Sequence, residues 1–243
     1  MRLLLISNST MAGEAYLGWP RNYIKDFLGD SVKTVLFIPY AGVNLSSESI
    51  EKSWDLYEKK VADVYAELGY ELRSIHQYAD PIKAVEEAES IAVGGGNTFY
   101  LVYMLHQSGV MEAMKKRVEA GMPYMGWSAG SNVACPTLRT TNDMPIVEPA
   151  SFNCLNIIPF QINPHYLDAH PEGHGGETRE QRINEFTAVN RQTTVVGLRE
   201  ACLLQMEGKT LMLKGKHPMR IFNFGKEAYE VNPGDDLNFL FNQ

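Results

Sequence analysis

Met122-Pro-Tyr-Met-Gly-Trp-Ser-Ala-Gly-Ser-Asn132 decides how this chain is read. A short apolar run passes into G-W-S-A-G and then into a helical pattern, the form of a buried strand that turns sharply into a helix. A serine held between glycines at such a turn is pushed out above the sheet. Gly126 and Gly130 leave room for the turn, and the small Ala129 lets the helix pack close to the strand. The turn also aims the first free N–H groups of the helix at a point where a carbonyl oxygen would gain negative charge. The spacing therefore predicts a reactive hydroxyl at Ser128 and an N–H donor at Ala129.

Outward from this stretch, short apolar runs alternate with longer amphipathic ones. Strands are expected at 3–6, 35–39, 72–76, 90–93, 124–127, 157–162 and 194–198. Helices are expected at 16–28, 49–68, 99–107 and 110–120. Such alternation indicates an α/β protein, a three-layer sandwich around a mainly parallel sheet. Three further runs (201–206, 210–214 and 219–224) are separated by Glu-Gly-Lys and Gly-Lys-His-Pro. They predict an antiparallel C-terminal meander on the sheet edge. With no linker, repeat or low-complexity tract, one domain over 1–243 is the expectation.

The chain has 243 residues, 44% of them hydrophobic and 21% charged, enough for a real core. Its net charge of −7 and its lack of long basic runs argue against nucleic acid as the main partner. Three widely spaced cysteines (Cys135, Cys154, Cys202) suit neither a disulfide framework nor a C-x-x-C metal pair. The opening Met-Arg-Leu-Leu-Leu-Ile-Ser-Asn reads as a first buried strand, because its apolar run is short and no small-residue cleavage site follows. No apolar stretch approaches the roughly 18 residues a membrane span needs. Neither a membrane partner nor a metal is expected, and cytoplasm is the default location.

A serine nucleophile needs a base, and the base an orienting acid. Ser128, Asp143 and His165 follow in the order Ser…Asp…His, at intervals of 15 and 22 residues. His165 would take the serine proton, and Asp143 would hold the imidazole in the right tautomer. Each has a plainer reading, His165 as a strand-end turn residue and Asp143 as a turn or helix-cap residue. His165, His170 and His174 share a loop, yet Pro171 and the glycines around 173–176 prevent the regular spacing of metal ligands. Gly94-Gly95-Gly96 before a helix lacks the phosphate-loop spacings. It either turns Gly95 and Gly96 N–H groups toward an oxyanion or is a bare tight turn.

Taken together, G-G-G-N-T-F, G-W-S-A-G, R-T-T-N-D-M-P-I-V, Q-I-N-P-H, P-E-G-H-x-G-E-T-R-E-Q-R-I and the opening L-L-L-I-S-N-S-T resemble the aspartyl dipeptidases of serine peptidase family S51, relatives of cyanophycinase. The resemblance runs from residue 3 to about 225. It implies a fold akin to class I glutamine amidotransferases and hydrolysis of dipeptides with N-terminal aspartate, without metal or cofactor. It places the nucleophile on Ser128, the base on His165 and the third member on Asp143, with Glu200 as the other candidate for that third place. Around Glu200 the family usually has Pro and Gly where this chain has Arg199 and Ala201.

Selection of a free N-terminal aspartate demands an anion for the ammonium and a cation for the side-chain carboxylate. Glu200 is the expected anion and Arg179 the expected cation, since a guanidinium grips a carboxylate in two places. Asn97 and Thr98 are expected to add hydrogen bonds to the same carboxylate. The plainer reading of Arg179 is a surface partner for a neighbouring glutamate, Glu177 or Glu180. Three other functions stay open at this point: a β-aspartyl or cyanophycinase-like isopeptidase, a lipase-like esterase, and a non-catalytic amidotransferase-like binding module.

Overall fold

Strand β1 (Arg2–Ile6) is buried from Leu3 onward and lies inside a seven-stranded sheet. The computed structural model describes residues 1–168, 173 and 175–241. β1 is followed along the chain by α1 (Arg21–Leu28), β2 (Thr34–Ile38), α2 (Ile50–Leu68), β3 (Glu71–Ser74), α3 (Pro81–Glu87), β4 (Ile91–Val93), α4 (Thr98–Gln107) and α5 (Val110–Glu119). Then come β5 (Tyr124–Trp127), α6 (Ala129–Asn132), β6 (Gln161–Tyr166), α7 (Arg179–Val189), β7 (Val195–Arg199), β8 (Cys202–Glu207), β9 (Thr210–Gly215), β10 (Met219–Phe222) and β11 (Tyr229–Val231). The large sheet runs β3-β2-β4-β5-β1-β8-β9. Its first five strands are parallel, and β8 and β9 add an antiparallel edge.

Side chains alternate across a strand, so β1 feeds two apolar layers. Leu4 and Ile6 pack with Phe27 of α1 and with Tyr57, Val61 and Tyr65 of α2. Leu3 and Leu5 pack on the other face with Leu101 and Leu105 of α4 and Val110, Met114 and Val118 of α5. Three layers result, as the sequence pattern predicts.

A second, four-stranded sheet runs β11-β10-β7-β6, with β6 and β7 parallel. The expected meander on the edge of the large sheet therefore ends after β9, and its third strand, β10, pairs with β7 instead. The strand expected at 157–162 also begins four residues later. Ile157 and Ile158 are buried, but the segment before β6 bonds to the turn after α6, through Leu155 N to Val133 O and Ile157 N to Ala134 O, both 3.0 Å. Burial there is not strand burial. α3 and α7 went unpredicted. α7 has only Ile183 and Thr187 buried, too thin a stripe to read as a helix, although its Thr178/Gln181 capping box marks its start.

Among the described residues no helix is long and apolar enough to cross a membrane, and no three His, Cys, Asp or Glu side chains are grouped to hold a metal ion. His170 and His174 lie outside the described residues.

Candidate active site

Ser128 sits at the exit of β5 with φ 55° and ψ −113°, a conformation L residues adopt only when their surroundings impose it. The two glycines of the turn are required sterically. A Cβ on Gly126 would lie 2.2 Å from Gly130 O, and one on Gly130 would lie 2.1 Å from Val93 O. Bonds to β1 fix the elbow: Ser128 N donates to Ile6 O at 3.0 Å, and Ser131 Oγ donates to Ile6 O at 2.7 Å. Ala129 N–H is the first of α6 and has no intrahelical acceptor. Across from it, the glycine loop after β4 brings Gly95 against Ser128, so close that a Cβ there would sit 3.0 Å from the Ser128 Cβ. Among the described residues neither Gly95 N–H nor Gly96 N–H meets an acceptor. Tyr57 donates its hydroxyl to Gly95 O at 3.0 Å and accepts from Trp127 Nε1 at 3.0 Å, fixing the loop from behind. Burial pushes the Tyr57 hydroxyl up to about 12, so it remains a donor at neutral pH.

His165 lies inside β6, not beyond its end. Pro164 pairs with Leu198 and Tyr166 with Arg199, which makes His165 the extra residue of a β-bulge, with φ 52°. The ladder bond lost at the bulge is replaced by Ser7: His165 N donates to Ser7 Oγ at 2.9 Å, and Ser7 Oγ donates to Leu198 O at 2.7 Å. The bulge aims the ring at the elbow. Nε2 lies 3.0 Å from Ser128 Oγ, and Nδ1 lies 2.7 Å from Glu200 Oε1.

Glu200, at the turn from β7 to β8, is thus the carboxylate on the imidazole, and Asp143 is not. Asp143 Oδ2 accepts from Thr98 N at 2.7 Å, Thr98 Oγ1 at 2.6 Å and Thr141 Oγ1 at 3.0 Å, at the N-terminus of α4 where a negative charge is favoured. The donors expected to face a substrate are therefore engaged. Thr98 holds Asp143, while Asn97 Nδ2 donates to Met144 O and Asn97 Oδ1 caps Tyr100 N. The turn around Glu200 keeps a glycine-like shape without glycine: Ala201 has φ 57°, and its N–H donates to Asn8 Oδ1 at 2.9 Å. Arg199 points elsewhere and pairs with both Asp168 and Glu230 at 2.7 Å.

Two cavities meet at Ser128 and His165. One, of about 320 Å³, is lined by Thr98, Asp143, Arg179 and Glu200. The other, of about 620 Å³, is lined by Tyr16, Tyr57, Lys60, Leu45 and Ile146. Asp143 borders both. The glutamates near Arg179 are already taken, Glu177 by Arg182 and Glu180 by Arg220. Among the described residues Arg179 has no ion-pair partner. Its burial, with Arg182 nearby, pulls the guanidinium below its ordinary value, and Asp143 acts in the opposite direction.

Comparison with known proteins gives the arrangement its context. The model of peptidase family S51 matches residues 3–214. Peptidase E of Nostoc sp. is 47% identical over 239 residues, covering 98% of this chain and 96% of that one. Peptidase E of Salmonella typhimurium is 46% identical, covering 96% and 99%. The chain belongs to peptidase family S51. A solved peptidase from an acI-B1 Actinobacterium shares the fold of this S51 peptidase, with a TM-score of 0.70 at 17% identity, over 97% of this chain and 96% of that one.

Sequence reasoning on the S51 chain missed Ser7 and Tyr57, which hold the histidine and the glycine loop. Neither stands in a motif. Ser7 is one polar residue after a strand, and Tyr57 reads as part of the apolar face of α2. Chemically, a hydroxyl on an imidazole that is itself on a carboxylate, beside unpaired N–H groups, is an arrangement for nucleophilic attack on a carbonyl.

Proposed function

We propose that this S51 peptidase is a dipeptidase that hydrolyses Asp-Xaa through an acyl-enzyme on Ser128. The observation that carries the reading is the relay Ser128 Oγ, His165, Glu200, with steps of 3.0 and 2.7 Å. Ser128 Oγ attacks the scissile carbonyl while His165 Nε2 takes its proton, and Glu200 keeps the proton on Nδ1 and offsets the imidazolium charge. The oxyanion receives Ala129 N–H and an N–H from Gly95 or Gly96, each donor worth about 3 kcal/mol of barrier. His165 then protonates the leaving amine, and water repeats the sequence on the ester.

The substrate's aspartyl carboxylate lies on Arg179, a cation of the smaller cavity with no ion-pair partner among the described residues. With Glu200 committed to His165, the α-ammonium falls to Asp143, whose Oδ2 is held in place by three donors. Peptidase E, the name of the curated relatives, fits a peptidase of this kind.

The test uses purified enzyme with Asp-Leu, Asn-Leu and β-Asp-Leu. Asp-Leu turnover should fall by about 10⁴-fold or more in Ser128→Ala. In Arg179→Ala, Asp-Leu should lose roughly 100-fold while the slow Asn-Leu reaction changes little. Equal loss on both substrates would remove the clamp from Arg179. Preference for β-Asp-Leu would make the enzyme an isopeptidase.

A further inference from the structure

The larger cavity holds a cation that the reading above leaves unused. Lys60 is on α2, and its Nζ rests 4.0 Å from the centre of the Tyr16 ring. Tyr16 and Tyr57 are joined hydroxyl to hydroxyl at 3.1 Å, and Tyr57 in turn holds Gly95 O. The ammonium is thus tied to the glycine loop beside Ser128 through contiguous side-chain contacts. Among the described residues no carboxylate lies within ion-pairing distance of it. An aromatic face attracts an ammonium without neutralising it, so the charge remains available to a ligand.

Of these two cavities Arg179 lines the smaller and not the larger, and Lys60 the larger and not the smaller, while Ser128 and His165 border both. A substrate whose acyl side chain reaches Arg179 must direct its other half into the larger cavity. In a dipeptide that half is one amino acid with a carboxylate on the carbon next to the scissile nitrogen. The cavity offers it a cation, Lys60, and an apolar wall from Leu45 and Ile146, both solvent-exposed at present.

We infer that the larger cavity receives the leaving residue and that Lys60 binds its free α-carboxylate, making a two-residue substrate with an apolar second side chain the preferred one. This rests on the dipeptidase reading proposed above. It gives the site a positive charge on each side of the nucleophile, one for each carboxylate of Asp-Xaa. It also supplies a physical reason for exopeptidase length: a longer peptide carries an amide where Lys60 expects a charge.

The experiment compares kcat/KM for Asp-Leu and Asp-leucinamide, which differ only in that carboxylate. The unaltered enzyme should prefer the acid by about two- to fivefold, the range of an exposed ion pair. In Lys60→Met the ratio should fall to near one through a higher KM for Asp-Leu, and Lys60→Arg should retain most of the preference. A preference that survives in Lys60→Met overturns the inference, as does an equal loss on both substrates. Failure of the unaltered enzyme to cleave Asp-Leu would show before any substitution, and it would withdraw the dipeptidase reading together with this inference.

Discussion

Glu200 and Asp143 are two half-exposed carboxylates around one histidine, and their neighbours give them different work. Glu200 reaches Nδ1 at 2.7 Å, whereas Asp143 spends one oxygen on three donors at the start of α4. Sequence order favours Asp143, because Ser…Asp…His is the order of strand-elbow hydrolases. Order along the chain does not report which carboxylate the bulge at His165 faces. Kinetics separate the two. Glu200→Gln should lower kcat by roughly 10²–10⁴-fold through loss of tautomer control and charge compensation, with the smaller figure favoured by the solvent access of this pair. Asp143→Asn should act mainly on KM for Asp-Leu, raising it about tenfold, since a neutral amide weakens the ammonium contact while its oxygen can still cap α4. Steady-state measurements in which Asp143→Asn abolishes kcat and Glu200→Gln spares it would return the orienting role to Asp143.

At the level of elements, the two reacting side chains come from different sheets, each from a locally strained backbone. The elbow was legible because its strain leaves a glycine signature at Gly126 and Gly130. The bulge was not, because His165 at φ 52° has no such signature and Pro164 before it suggests only a strand end. What holds the bulge is Ser7, buried after β1 of the large sheet, which bonds both His165 N and Leu198 O of the second sheet. Ser7→Ala takes the hydroxyl partner from a part-buried donor, His165 N, and from a buried acceptor, Leu198 O, a cost of about 2–4 kcal/mol. For a protein of this length the melting temperature should fall by roughly 5–15 °C. The same change releases the histidine backbone, so kcat should drop in protein that is still folded at the assay temperature. A melting temperature within a degree of the parent would show that Ser7 does not carry this junction.

Across the whole molecule, the α/β alternation revealed the large sheet because each of its strands is a short apolar run bounded by helices. The second sheet was hidden because its strands pair across long sequence separations, β6 with β7 over the intervening α7 and β10 back onto β7. Two of the three thiols lie along the line between the sheets. Cys135, just after the elbow helix, accepts from Ile162 N of β6 at 3.1 Å, and Cys202 opens β8. All three cysteines are buried. Burial pushes the Cys135 thiol up to about 12 and raises those of Cys154 and Cys202 as well. Thiolate is the reacting form, so at neutral pH both access and ionisation oppose modification. A thiol-reactive dye should therefore label almost nothing in the native enzyme and all three cysteines in denaturant, and iodoacetamide should leave peptidase activity intact. Labelling of Cys135 requires α6 and β6 to part, so its slow rate should rise with urea in step with global unfolding and should rise further in Ser7→Ala. Rapid labelling of Cys135 in fully active enzyme would mean that the second sheet opens from the first on its own, and the site between them would then be assembled only part of the time.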